Sequence, residues 1–413
     1  MQRTFILTPR DVLFMRDARP MEASDAGLGA NWPRPDQLYA ALHHAFLKKW
    51  PERQTWEGEK HTFRDKDEPQ YKGRSKDKNE NSSCRFGALK TVGPFPKKAG
   101  ALYFPCPRDL GMKLIPVPKG QADLPAPLTH AFCMAHQSKV KLPTWISSAD
   151  YENYFSKQPG NYYKKEDEKM NFVAPQAGEI FEPDRNIGIA IDPETGTAED
   201  HQLYQAEYLR LHPDTDMVFS AECEVIQRGS NGATTDVLDD DKLPEALVFG
   251  GQQGVAYIKQ AGNRLKLPKK PDIHSQYLRW TLLTPALFKS GWLPGWIENE
   301  GQVMLKVGAD KKRQEGESRL AWRERIKQMP SAKGTLIAAC IGKPEACSGW
   351  NQQAGGPKPT FLAVPAGSCY VFDCGTKEDA MRLSKELNLK PLSDQLGEKG
   401  FGIGICSSTT IEA

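Results

Sequence analysis

No two of the nine cysteines stand in a C-x-x-C pair, and they scatter from Cys84 to Cys406. Structural zinc needs four ligands at close spacing, and Cys369 with Cys374 has no second pair nearby, so that class is excluded. The odd number and wide scatter read as reduced, mostly buried thiols in a cytoplasmic protein. Long apolar runs are also missing: none approaches membrane-spanning length. The opening Met1-Gln2-Arg3, interrupted by Pro9, Arg10 and Asp11, does not resemble a signal peptide. Charge excess is absent too. The 55 basic and 52 acidic side chains leave a net charge of +3. A polycation is excluded, and any nucleic-acid contact has to come from local clustering. There is no Gly-Lys-Ser/Thr at Walker spacing, no dinucleotide fingerprint and no acidic cluster suited to a metal-dependent nuclease. Neither a cofactor nor a bound metal is expected.

What is present suits a globular chain of two domains: 413 residues, 39% hydrophobic and 26% charged. Residues 3–8 read as a short buried strand. Residues 34–50 are the clearest helix, with Pro35 at its first position, Asp36 in its first turn and a stripe of Leu38, Leu42, Ala45 and Phe46. From 52 to 83 the pattern dissolves into charge, and an exposed insertion is expected. Residues 85–93 and 101–106 read as a strand pair. The stretch to about 175 is rich in proline and aromatics and shows no strong period. Strands are expected again at 185–192, after Asp216, around Gly250-Gly251 and in the run from Gln276 to Phe288. A basic segment at 306–343 holds a short helix around Leu320, Trp322 and Ile326; a stronger helix at 376–388 precedes a last strand.

Short strands with one or two helices in each half argue an α+β chain, with an antiparallel sheet in each half. The simplest unit of that kind is ferredoxin-like (RRM-like). Two in tandem, spanning 1–215 and 216–413 with long insertions, fit the length.

Near the C-terminus, Gly397-Glu398-Lys399-Gly400-Phe401-Gly402-Ile403-Gly404 places four glycines within eight residues. Such a stretch allows positive φ and close backbone approach. It can also turn several N–H groups toward a phosphate chain, with Lys399 as a point charge beside them. The same residues also read as a glycine-rich final strand and turn.

Six segments together resemble one family, subunit three of the Cmr (type III-B CRISPR) effector complex, in the RAMP superfamily. They are LFMRDARPM; RPDQLYAALHHAF; FGALKTVGPF with LYFPCPRDL; RNIGIAIDPETGTAEDHQLYQAEYLRL; LLTPALFKSGWLPGW; and the run from ACIGKPEACSGWN through PTFLAVPAGSCYVFD to EKGFGIG. The hairpin text ALVFGGQQGVAY departs from the family pattern, because Gln252 and Val255 stand where a glutamate and a basic residue are usual. The insertion at 52–83 has no clear counterpart.

The resemblance implies two ferredoxin-like domains and a glycine-rich C-terminal loop, here 397–404. It implies a non-catalytic subunit that binds the repeat-derived 5′ tag of the guide RNA. Its neighbours would be the large polymerase-cyclase subunit and the first backbone RAMP subunit. An unpaired tag offers splayed bases for stacking and edge hydrogen bonds. The residues expected to hold it are Arg16 and Arg19 with Asp17 orienting them; Lys343, Trp350 and Lys358; and Lys399, Gly400, Phe401 and Gly402. Trp350 reads equally as a base-stacking group and as a core anchor. A competing function exists within the superfamily: a metal-independent ribonuclease that processes the guide precursor with a histidine near the first helix as base. His43 and His44 are the candidates for it. His43, four residues after Tyr39 and beside the apolar stripe, reads instead as a packed helix residue.

Overall fold

The computed structural model describes residues 2–15, 31–49 and 89–412, apart from 119, 137–139, 158, 167–168, 193, 227–233, 237, 240–242, 309–313, 315 and 352–355. The insertion expected at 52–83 and the trio Arg16, Asp17 and Arg19 lie outside the described residues.

Two main sheets organise the chain. The first is built from β1 (Arg3–Pro9), β2 (Lys90–Lys98), β3 (Ala101–Pro105), β4 (Trp145–Ser147), β5 (Thr215–Glu222), β6 (Ala246–Val248) and β7 (Val255–Ala261). Their order across the sheet is β6-β7-β1-β5-β2-β3-β4. The central four, β7-β1-β5-β2, give the order 4-1-3-2 when counted along the chain, which is the ferredoxin-like arrangement. The second sheet holds β8 (Tyr277–Leu282), β9 (Thr335–Cys340), β10 (Cys369–Asp373) and β11 (Gly404–Ser408) in the order β9-β10-β8-β11. It repeats the same order, read from the other edge.

Alternation along β1 decides which side of the first sheet is core. Phe5 and Leu7 pair with Phe219 and Met217, and all four are buried beneath helix α1 (Pro35–Lys49). From α1, Leu38 and Leu42 are fully buried against them. Each such side chain contributes about 1.5–3 kcal/mol by leaving water. On the opposite face stand Thr4, Ile6, Thr8, Val218 and Ser220, so that face of these two central strands carries no aromatic ring. The segment leading to the second sheet crosses this face, with the Leu265 amide donating to the Thr4 hydroxyl at 2.7 Å.

The chain excursion between β3 and β5 covers the second sheet. Within it, α2 (Ser148–Ser156) is capped by the Ser147 hydroxyl, which accepts from the Asp150 amide. Tyr151, Tyr154 and Phe155 of α2 pack with Phe104, Leu283 and Ile405 in one core. A ribbon of Met112–Pro116 and His130–Met134 lies beside β9, with the Thr129 amide donating to the Ile337 carbonyl at 2.9 Å. The sheet's other face is closed by Leu383 and Leu387 of α4 (Lys377–Leu387), packed on Trp280, Tyr370 and Phe372. By contrast, α3 (Arg319–Gln328) buries none of its residues, although it falls where the sequence placed a short helix.

A buried ion pair ties the excursion to the second sheet. Arg279 of β8 donates to Asp109 at 3.2 Å and to the Ser407 hydroxyl at 3.0 Å. The Tyr154 hydroxyl donates to the other Asp109 oxygen at 2.5 Å, and its ring lies 4.0 Å from the guanidinium. Each polar group is satisfied by another, as burial requires.

The domain boundary expected at 215/216 is corrected. That point is the start of β5, a central strand paired to β1 on one side and β2 on the other. The two sheets divide instead between 261 and 277. Sequence alone did not show that the patterns before and after 215 share hydrogen bonds.

Candidate functional site

The glycine-rich stretch sits where the two halves meet. A single 3₁₀ turn, Gly397–Lys399, is entered through Leu396 at φ +57 and left through Gly400 at φ +94. Gly402 follows at φ +73. A Cβ on Gly400 would fall 2.6 Å from the Thr91 carbonyl oxygen of β2, and one on Gly402 would fall 2.2 Å from the Ser393 nitrogen. Only glycine fits both the conformation and the space.

Five of the amides expected to form a phosphate cradle, those of Lys399 to Ile403, donate within the protein. The amides of Lys399, Gly400 and Phe401 donate to the carbonyls of Leu396, Gly397 and Leu396 at 2.9, 3.0 and 3.5 Å. Gly402 donates to the Pro285 carbonyl at 2.7 Å, and Ile403 to the Thr284 hydroxyl at 3.0 Å. The Phe401 ring is fully buried among Leu287, Cys347, Ala363 and Leu396. It therefore anchors the loop from beneath, and no face of it is open to a base in this chain.

Lys399 is 7% exposed. Its ammonium lies 4.9 Å from the centre of the Tyr39 ring on α1, a cation–π contact. Its carbonyl accepts from the Thr91 hydroxyl at 2.9 Å. The loop thus joins the second sheet to both α1 and β2 of the first.

Beside it runs a second crossing. Arg34, just ahead of α1, donates to Asp36 at 3.1 Å and to the Ser348 carbonyl at 2.7 Å. Burial works against the Arg34 charge, but Asp36 together with Cys347 and Glu345 outweighs it, and the guanidinium pKa stands above its ordinary value. Ser348 belongs to the connection between β9 and β10, which carries three expected site residues. Lys343 is exposed there. Lys358 is half-buried, its amide donating to the Gly349 carbonyl at 2.8 Å and its carbonyl accepting from the Ser348 hydroxyl at 2.7 Å. Trp350 pairs with Pro357 in a two-residue ladder. Burial under this connection pushes the Cys347 thiol up to about 12.

The structure therefore brings Lys343, Trp350 and Lys358 onto one connection, and sets Lys399, Gly400, Phe401 and Gly402 in the loop that welds the halves. Tyr39, Thr91, Arg34 and Ser348 were not singled out from sequence. Arg34 and Ser348 stand 314 residues apart, so no local spacing announces their contact. In the 250–255 hairpin the Gln252 side chain accepts from the Tyr208 hydroxyl. On α1 the His43 ring stacks on Tyr39, centroids 6.3 Å apart, while His44 is exposed. Among the described residues no three His, Cys, Asp or Glu side chains gather as a metal site would need, and no helix is long and apolar enough to cross a membrane.

A family model described as CRISPR-associated protein (Cas_Cmr3) matches residues 5–407. The chain belongs to this family. It is accordingly a component of a type III CRISPR effector. No curated protein matches the sequence. Among solved structures, the Cas_Cmr3 chain is similar to a chain of the type III-B Cmr-beta complex bound to cognate target RNA. The identity is 15% and the TM-score 0.45, over 89% of this chain and 86% of that one. The same complex with AMPPnP gives 14% and 0.44 over the same shares. A chain of the Csm3–Csm4 subcomplex of the type III-A interference complex gives 10% and 0.36, over 90% and 94%.

Proposed function

We propose that this chain is the non-catalytic subunit three of a type III-B effector, and that it holds the repeat-derived 5′ tag of the guide RNA in the cytoplasm. It docks the large polymerase-cyclase subunit onto the backbone through contacts with the first backbone RAMP subunit. One observation supports the reading above others. The seam is built twice over, at Lys399 and at Arg34, and it fixes the connection bearing Lys343, Trp350 and Lys358 against the first domain. Exposed Lys343 and half-buried Lys358 on that connection suit the phosphates of a single-stranded ligand. Guide pairing reads the target, so this subunit has only one fixed tag to hold.

The test uses the purified chain, alone and with its large-subunit partner, mixed with labelled repeat-derived RNA in EDTA. Intact RNA should be retained, and retention should weaken with salt and in Lys343→Ala and Lys358→Ala. Site-specific cleavage abolished by His43→Ala or His44→Ala would replace this reading with a processing nuclease. Absence of binding in both formats would leave a protein scaffold without RNA contact.

A further inference from the structure

Arg108 sits at the same seam and belongs to none of the contacts above. Its backbone is fixed on both sides. Cys106 is buried, Asp109 is locked to Arg279 and Tyr154, and the Arg108 amide donates to the Gly367 carbonyl at 2.9 Å. Gly367, at φ +85, lets the two segments touch: a Cβ there would lie 2.4 Å from the Cys106 carbonyl oxygen. The guanidinium leaves this fixed base and lies over the backbone of Gly342, where a Cβ would stand 3.1 Å from its Nε. Lys343, exposed, is the next residue.

Arg108 itself is exposed, and among the described residues it forms no ion pair. Arg34 is already committed to Asp36 and Ser348. Arg108 is therefore the uncommitted guanidinium of this group, pre-positioned beside a lysine.

We infer that Arg108 contacts a phosphate of the guide RNA. The inference rests on the tag-holding reading. A planar guanidinium meets a phosphate through two parallel hydrogen bonds, which a solvated lysine cannot reproduce.

The experiment measures retention of labelled repeat-derived RNA by the full chain with its large-subunit partner, across a salt series. It compares the unaltered protein, Arg108→Ala and Arg108→Lys, with Arg319→Ala on α3 as a charge-matched control. Arg108→Ala should weaken binding about tenfold and flatten the log–log salt slope by about 0.7, one single-strand phosphate contact. Arg108→Lys should restore only part of the affinity. Arg108→Ala behaving like Arg319→Ala would overturn the inference while leaving tag binding intact. So would Arg108→Lys binding as tightly as the unaltered protein. Failure of the unaltered protein to retain RNA would overturn both.

Discussion

The Thr91 hydroxyl of the first sheet donates to the Lys399 carbonyl at 2.9 Å, a hydrogen bond across 308 residues. It is buried, and the Gly400 that follows lies against the Thr91 carbonyl. The glycine-rich loop is thus part of what holds the molecule together.

Gly400→Ala should destabilise the fold. The residue needs φ +94, and its new Cβ would meet backbone at 2.6 Å, a contact no side-chain rotation relieves. A loss of about 1–3 kcal/mol is expected from the strained backbone alone. Thr91→Val, which keeps shape but removes the donor, should cost about 1 kcal/mol. Chemical denaturation of both variants checks the order; equal stability of Gly400→Ala and the unaltered chain would disprove it.

Phe401→Ala and Lys343→Ala should separate structure from binding. The buried ring leaves a cavity costing about 3–5 kcal/mol. Lys343 is exposed, and its loss should leave the denaturation midpoint within about 0.5 kcal/mol while lowering RNA retention. Calorimetry and RNA retention on the same samples distinguish the two.

The Arg279–Asp109 pair should respond asymmetrically. Asp109→Ala strands a buried guanidinium and should cost about 3–5 kcal/mol. Arg279→Met combined with Asp109→Leu should be much milder than either truncation predicts, because no charge is left unmatched. A double-mutant cycle reads the difference, and a double variant worse than the sum of the singles would contradict it.

Alkaline pH should unfold the protein by a route the thiols define. Burial pushes Cys106, Cys347 and Cys374 up to about 12 from an ordinary 9.0. Above pH 9 the unfolded chain gives up these protons and the folded chain keeps them. Stability from these groups is fully present below pH 9 and falls as pH rises toward 12. Each contributes about 1.4 kcal/mol per pH unit within that window. Melting temperatures under reducing conditions should be flat from these groups up to pH 9 and drop beyond it, with a smaller drop in Cys106→Ser.

Elements carrying their own signals were legible in the sequence. Pro35, Asp36 and the leucine stripe announced α1, and the apolar residues Ala380, Met381, Leu383 and Leu387 announced α4, with Thr376 accepting from Asp379 at its start; of these, Met381 turns outward and is exposed. The α2 helix was missed because its buried residues are Tyr151, Tyr154 and Phe155, which suit a pinned loop equally well. The one clue was Ser147 ahead of Asp150. The domain division was missed for a different reason: β5 belongs with β1, more than two hundred residues earlier, and pairing is not written in either strand alone. At the site, positive φ is found at Gly400 and Gly402 but not at Gly397 or Gly404. What the loop did with its N–H groups depended on carbonyls at Pro285 and Leu396 and the hydroxyl at Thr284, partners no local pattern names.

The buried pair of Asp109 and Arg279 also sets an order of events during synthesis. Asp109 leaves the ribosome 170 residues ahead of its partner. At cellular rates of roughly 5–20 residues per second, that is a wait on the order of 10–30 seconds. Throughout it, α2 and the Asp109 turn have no second sheet to lie on, and their aromatic side chains stay open to water or to a chaperone. The first sheet can assemble once β7 emerges, but the segment in its middle has to remain unfinished until β8 arrives.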